Sequence, residues 1–113
     1  MRTVERFTER VIHIIQRIPS GKVMAYGQIA KCAGSPRGAR QVVRILHSMS
    51  TNYQLPWHRV INSKGEIGIK SEEGFINQKM MLEEEGIKFS ATNRIDLDKY
   101  RFNPDDREIA EQE

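Results

Sequence analysis

The sequence predicts a mainly α-helical domain, winged-helix-like, with a helix-turn-helix at its centre and one short β-hairpin beside it. Three observations point there. Apolar residues recur at helical spacing over three stretches before residue 50, and the second and third of these are joined only by Gly34-Ser35-Pro36. A run around residues 57–69 carries Val and Ile on both sides of Asn62-Ser63-Lys64-Gly65, a turn sequence. A chain of 113 residues, 38% hydrophobic and 29% charged, suits a single hydrophobic core.

Taken in order, Phe7, Val11, Ile14, Ile15 and Ile18 lie on one helical face with Arg6, Arg10, Gln16 and Arg17 between them. This predicts a helix from about residue 3 to 18, ended by Pro19-Ser20-Gly21. Lys22 to Ala25 is too short to assign. Tyr26 to Ala33 reads as a two-turn helix closed by Gly34. Ser35 can cap a helix and Pro36 is tolerated at a first helical position, so a third helix is expected from there to about Ser48. In it Ala39, Val42, Val43 and Leu46 form an apolar stripe, while Arg37, Arg40 and Arg44 cluster opposite and no acidic residue sits among them.

Residues 48–56 have no period and are expected to be a loop. Trp57 to Ile61 and Glu66 to Ile69 are expected to pair as the hairpin wing. Glu72 to Glu85 predicts a last helix with Phe75, Lys79 and Leu82 on one side and Gly86 as its stop. Beyond Phe89 the signal fades. The expected organisation is one domain over residues 1–91 and an extension over 92–113, whose acidic end from Asp105 is expected to be mobile.

Charge is distributed unevenly. Residues 1–64 carry eleven Lys or Arg against two Glu, a net of +9, whereas residues 65–113 carry seven against thirteen acids, a net of −6. A basic half of this size attracts polyanions, and the arginine face of the third helix has no carboxylate one turn away to absorb it. Duplex DNA is the polyanion that a helix-turn-helix implies.

Other classes fall away. No apolar run is long enough to span a bilayer, and the first residues have no apolar h-region, so neither a membrane nor a secretory protein is expected. Cys32 is the only cysteine, so no internal disulfide can form, and a reducing cytoplasm is the default. His13, His47 and His58 lack the close paired spacing of metal ligands, and no cofactor-binding loop is present, so neither metal nor cofactor is expected. Cys32 reads as a small core residue rather than a nucleophile.

Pro56-Trp57-His58-Arg59-Val60 resembles the Pro-Cys-His-Arg-Val active-site signature of the O6-alkylguanine-DNA alkyltransferases. The likeness extends through Gly21-Lys22-Val23, Tyr26-Gly27-Gln28-Ile29-Ala30, Ser35 to Val42, Val60 to Gly65 and Leu82 to Gly86, covering most of residues 4–90 in family order. With Trp57 in the cysteine position, the chain resembles the non-catalytic, alkyltransferase-like branch of that family. An indole offers no thiolate to accept an alkyl group, so the resemblance implies no catalytic residue at all. His58 and Glu85 stand where the active enzymes keep the pair that activates the thiol, and a structural role is what remains for them.

The resemblance implies a site as well. Trp57 would stack on a purine turned out of the helix, in a pocket shared with Tyr26 and Lys70. Arg40 matches the finger that fills the vacated base stack, and Tyr26 the tyrosine that presses on a flanking phosphate. Ser35, Arg37, Gly38, Ala39 and Gln41 complete the expected DNA-binding set, with Gly38 and Ala39 small enough to enter a minor groove. The implied function is recognition of O6-alkylguanine in duplex DNA without repair, by a monomer, as a flag for nucleotide excision repair proteins. Its expected location is the cytoplasm: with the nucleoid in a bacterium, and in the nucleus of a eukaryote. The same helices could instead belong to a regulator reading sequence in the major groove, to an alkyltransferase acting through Cys32, or to a protein-interaction module.

Overall fold

The computed structural model describes residues 3–104. Helix α1 runs over Thr3–Gln16, β1 over Met24–Ala25, α2 over Tyr26–Cys32 and α3 over Ala39–Tyr53. A 3₁₀ turn at Trp57–Arg59 then leads into β2 at Val60–Ile61, followed by α4 at Glu72–Glu84 and α5 at Leu97–Tyr100. The acidic end expected to be mobile lies outside the described residues.

α1 buries the face that its periodicity marks, with Val11, Ile14, Ile15 and Ile18 all at or below 2% exposure. They pack with Ile29 and Ala30 of α2 and Val42 and Ile45 of α3 in one apolar cluster, which also takes in Met24, Leu55 and Val60. Cys32 is half-buried against this cluster. A second cluster joins Val23, Ile61, Leu82, Ile87, Ile95 and Tyr100. The two clusters meet at β1 and β2, since Val23 and Met24, like Val60 and Ile61, are neighbours in sequence that fall on either side.

Five expectations need correction. The tetrapeptide from Ser35 to Gly38 closes a turn, Gly38 N–H donating to Ser35 O at 2.8 Å, so α3 starts three residues later than the Ser-Pro pair suggests. At its other end α3 continues to Tyr53, through the stretch expected as a loop, and stops at Gln54 in a left-handed conformation. No hairpin forms. β2 instead pairs in parallel with β1, Met24 opposite Val60 and Ala25 opposite Ile61, because the unassigned segment 22–25 supplies the neighbouring strand first. The Asn62 turn is present, its Oδ1 accepting from Lys64 N–H and Glu66 N–H at 2.9 Å each, but residues 66–70 leave it as a loop rather than a strand.

The apolar stripe of α3 is also rotated from its expected position. Val42 and Ile45 are buried, whereas Val43 is 44% exposed and Leu46 half-buried. On α4 the buried pair is Gln78 and Leu82, with Phe75 and Lys79 only partly covered. The faded segment beyond Phe89 has order of its own. Phe89 bridges Ile95, Val23 bridges Arg101, and Ile95 and Tyr100 complete the second cluster.

Gly38 is buried because α1 lies over it: a Cβ there would meet Phe7 Cζ at 2.9 Å. Its small size therefore serves helix packing. Gly65 combines a φ of +82° with a would-be Cβ 2.5 Å from the Ile95 carbonyl oxygen, which accepts no such approach. Gly65→Ala is therefore expected to cost about 2 kcal/mol or more, seen as a lowered urea midpoint at unchanged m-value.

Candidate nucleic-acid interface

α3 divides its circumference three ways. At ~100° per residue, Val42, Ile45 and Met49 occupy one arc, Val43, Leu46, His47 and Ser50 the next, and Arg40 and Arg44 the one after that. The first arc is core. The second lines a cleft of about 440 Å³, whose other walls are Tyr26, Trp57, Val60, Gly68, Ile69 and Gln78. The third is exposed and cationic.

Each wall has a local cause. Tyr26 opens α2, whose first turn is fixed by Gln28: its Oε1 accepts from Ala25 N–H at 3.2 Å and its Nε2 donates to Phe102 O at 2.7 Å. Burial raises the Tyr26 phenol above its ordinary pKa, so its hydroxyl stays protonated and can donate. Trp57 begins the 3₁₀ turn, half-buried, with its ring edge-on to His58 at 6.1 Å between centroids. Gly68 and Ile69 come from the loop that replaces the expected wing strand.

Beneath Trp57 lies a charged junction. Glu85 Oε2 accepts from Arg59 Nη2 at 2.7 Å and sits 2.7 Å from His58 Nε2, while Arg59 Nε donates to both carboxylate oxygens at 3.0 and 3.1 Å. Gly21 N–H donates to Oε1 at 2.9 Å, and Arg59 Nη1 reaches Ile18 O at 2.8 Å. Burial on its own would raise the Glu85 carboxyl, but the bonds from Arg59, His58 and Gly21 together bring it down to about 2. Gln78, 2% exposed, donates from Nε2 to both His58 O at 2.9 Å and Val60 O at 3.1 Å, tying α4 to the backbone on either side of Arg59. Sequence reasoning did not single out Gln78. A polar residue at an i−4 position from buried Leu82 was its only signal.

The expected site residues fall into two groups. Tyr26 and Trp57 both line the cleft, and Lys70 is exposed one residue beyond the lining. Arg40, Gln41 and Arg37 are exposed at the start of α3 and in the turn before it, with Ser35 and Ala39 half-covered and Gly38 turned to the core. Cys32 is not part of the cleft lining. Among the described residues no group of three His, Cys, Asp or Glu side chains is placed to hold a metal ion, and no helix is long and apolar enough to cross a membrane.

The chain places a cationic start to its third helix beside a cleft walled by an aromatic from a Pro-Trp-His-Arg turn, and it has relatives among known proteins. The family model for the 6-O-methylguanine DNA methyltransferase DNA binding domain matches residues 6–87. The chain belongs to this family. Within it, the chain is 43% identical over 101 residues to the DNA base-flipping protein of Vibrio parahaemolyticus, covering 89% of this chain and 100% of that one. It is 37% identical over 106 residues to alkyltransferase-like protein 1 of Schizosaccharomyces pombe, covering 89% and 98%. A crystal structure of S. pombe Atl1 in complex with damaged DNA containing O6-carboxymethylguanine aligns with a TM-score of 0.77 at 38% identity, covering 92% of this chain and 100% of that one. The matched residues 6–87 hold α2, α3, both strands and α4.

The junction predicts acid sensitivity with a definite sign. Because the Glu85 carboxyl is held at about 2 against an ordinary 4.5, its contribution to stability is present above pH 4.5 and is lost as pH falls from there toward 2. Glu85→Gln is expected to lower stability at neutral pH and to flatten this acid limb, read as urea midpoints across a pH series. Parallel curves for the two proteins would refute it.

Proposed function

We propose that this protein binds duplex DNA through α2 and α3 in the minor groove, rotates an O6-alkylguanine into the cleft against Trp57, and holds it without transferring the alkyl group. The observation that carries the reading is Trp57 itself. It stands between Pro56 and His58, where the alkyltransferase signature has its cysteine, on the wall of an open cleft of about 440 Å³. A flat indole can stack on an extruded purine and supplies no nucleophile for its alkyl group.

The remaining residues take complementary roles. Arg40, at the border between the cationic arc and the cleft arc of α3, enters the base stack in place of the flipped nucleotide. Tyr26, a neutral donor at the start of α2, presses on the flanking phosphate. Ser35, Arg37, Ala39 and Gln41 lie along the backbone, with Gly38 setting how closely α3 approaches. Lys70 sits beside the cleft mouth, where its ammonium adds charge near a phosphate. His58 and Glu85 keep the Trp57 turn in place rather than activate a thiol. The protein acts as a monomer, wherever the cell keeps its DNA, and the bound, distorted lesion becomes a flag for nucleotide excision repair proteins. Support for this reading comes from the base-flipping and alkyltransferase-like relatives and from the DNA-bound relative of the same fold.

Binding to duplexes that differ only by O6-methylguanine or guanine at one position is the direct test; at matched salt the lesion duplex should bind more tightly, and equal affinity refutes the reading. Trp57→Ala should weaken lesion binding about 5- to 150-fold, the equivalent of ~1–3 kcal/mol of stacking, with a smaller effect on undamaged DNA. Arg40→Ala should cost about tenfold or more on the lesion duplex. A duplex with a labelled O6-methyl group should leave no label on the protein; label on Cys32 would restore the enzymatic alternative.

A further inference from the structure

The cleft is walled chiefly by apolar side chains, Val43, Leu46, Trp57, Val60 and Ile69 among them, and its few polar groups are mostly committed. Ser50 Oγ donates to Leu46 O at 2.6 Å. Both amide hydrogens of Gln78 are spent on the His58 and Val60 carbonyls. The Tyr26 hydroxyl belongs to the phosphate role already proposed. Two donors are left over among the described residues: the Trp57 indole N–H, in the ring already assigned to stacking on the base, and the His47 imidazole. The His47 imidazole lines the cleft, and among the described residues it makes no hydrogen bond or ion pair.

Its position on α3 is informative. His47 lies between the arc of Val43, Leu46 and Ser50 and the arc that begins at Arg40, one residue from Leu46 and two helical turns, ~10.5 Å, beyond Arg40. A residue placed there has an apolar wall on one side and the DNA-facing rim on the other. A guanine stacked on Trp57 presents its ring faces to the apolar walls, so the substituent on O6 extends toward whatever else lines the cleft. The apolar side chains there for an alkyl substituent to meet are Val43, Leu46 and Ile69. A substituent that ends in an acceptor would lose its water in such surroundings, which is costly unless a donor replaces it.

We infer that His47 is a specificity-determining residue that donates a hydrogen bond to O6 adducts ending in an acceptor, carboxylates above all, so that the cleft accepts anionic as well as apolar substituents. This rests on the cleft being the lesion pocket, and the test separates the two claims. Hydrogen bonds to a charged group contribute about 1.5–3 kcal/mol, roughly 10- to 150-fold in affinity.

The probes are three duplexes with O6-carboxymethylguanine, O6-propylguanine or guanine at one position, bound by the full chain and by two variants at fixed salt and pH. His47→Leu removes the donor, and His47→Gln keeps an N–H of similar reach. His47 is exposed and unpartnered among the described residues, so both variants should fold, checked by their thermal midpoints. The expected result is a loss of about tenfold or more for carboxymethyl with His47→Leu, little change for propyl, and recovery of most of the loss with His47→Gln. An equal loss on all three duplexes would make His47 a backbone contact and overturn the inference while leaving the pocket intact. An unchanged carboxymethyl affinity would overturn it too. If the unaltered protein fails to distinguish either adduct from guanine, the lesion-pocket reading falls first and takes this inference with it.

Discussion

The Glu85 carboxylate is the point on which the site depends. It gathers a guanidinium, an imidazole and a backbone N–H from two separate segments, residues 58–59 and 21, and it stands at the end of a helix that supplies neither. Arg59 extends the junction to the Ile18 carbonyl, so the turn after α1, the turn bearing Trp57 and the end of α4 are fixed relative to one another. A buried charge cluster of this kind is weak evidence for stability, since desolvation offsets much of its attraction. Its consequence is positional. Trp57 precedes His58 directly, so the orientation of the indole wall follows from bonds made by its neighbours rather than by the indole.

The junction is complete although position 57 carries an indole and no thiol. An arrangement serving only proton transfer would have no reason to keep Arg59 in a forked contact and Gly21 on the second oxygen. Those contacts are better understood as the frame of the cleft, to which the chemistry of an alkyltransferase is an addition. An indole at position 57 supplies no thiolate, and the frame around it is intact.

α3 shows how one helix can serve core, cleft and charge at once. Three arcs of a fifteen-residue helix need strict angular order: a shift of a single residue one way would turn Val43 inward, and the other way would bring His47 into the cationic face. Gly38 fixes that phase, because α1 approaches close enough that Phe7 occupies the space where a side chain would sit. The spacing between the arginine at the helix start and the cleft beside it is thereby set by packing on the buried side of the helix start.

Much of this was legible in the residues. The period of α1, the Gly34 stop, the Asn62 turn and the Glu72 helix are local, set by neighbours within a turn or two, and they lie where the sequence puts them. The motif around Trp57 named the family without any coordinates. What the sequence left open were features whose partners lie far along the chain. β1 exists because Val60 and Ile61 lie beside it some thirty-five residues later, and the hairpin expected at residues 57–69 gave way to that parallel pairing. Val43 and Leu46 look like core in any helical projection; that they share the lining of a cleft with Trp57 and Ile69 depends on chain segments far from α3 in sequence. Gln78 has no local reason to be buried, and is so because two carbonyls from the Trp57 turn need donors. Local pattern therefore determined where the main helices lie, though not where α3 begins and ends, and that position 57 carries an indole in place of a thiol. Tertiary structure decided which apolar faces close on each other and which stay open, because that depends on what meets them from elsewhere in the chain.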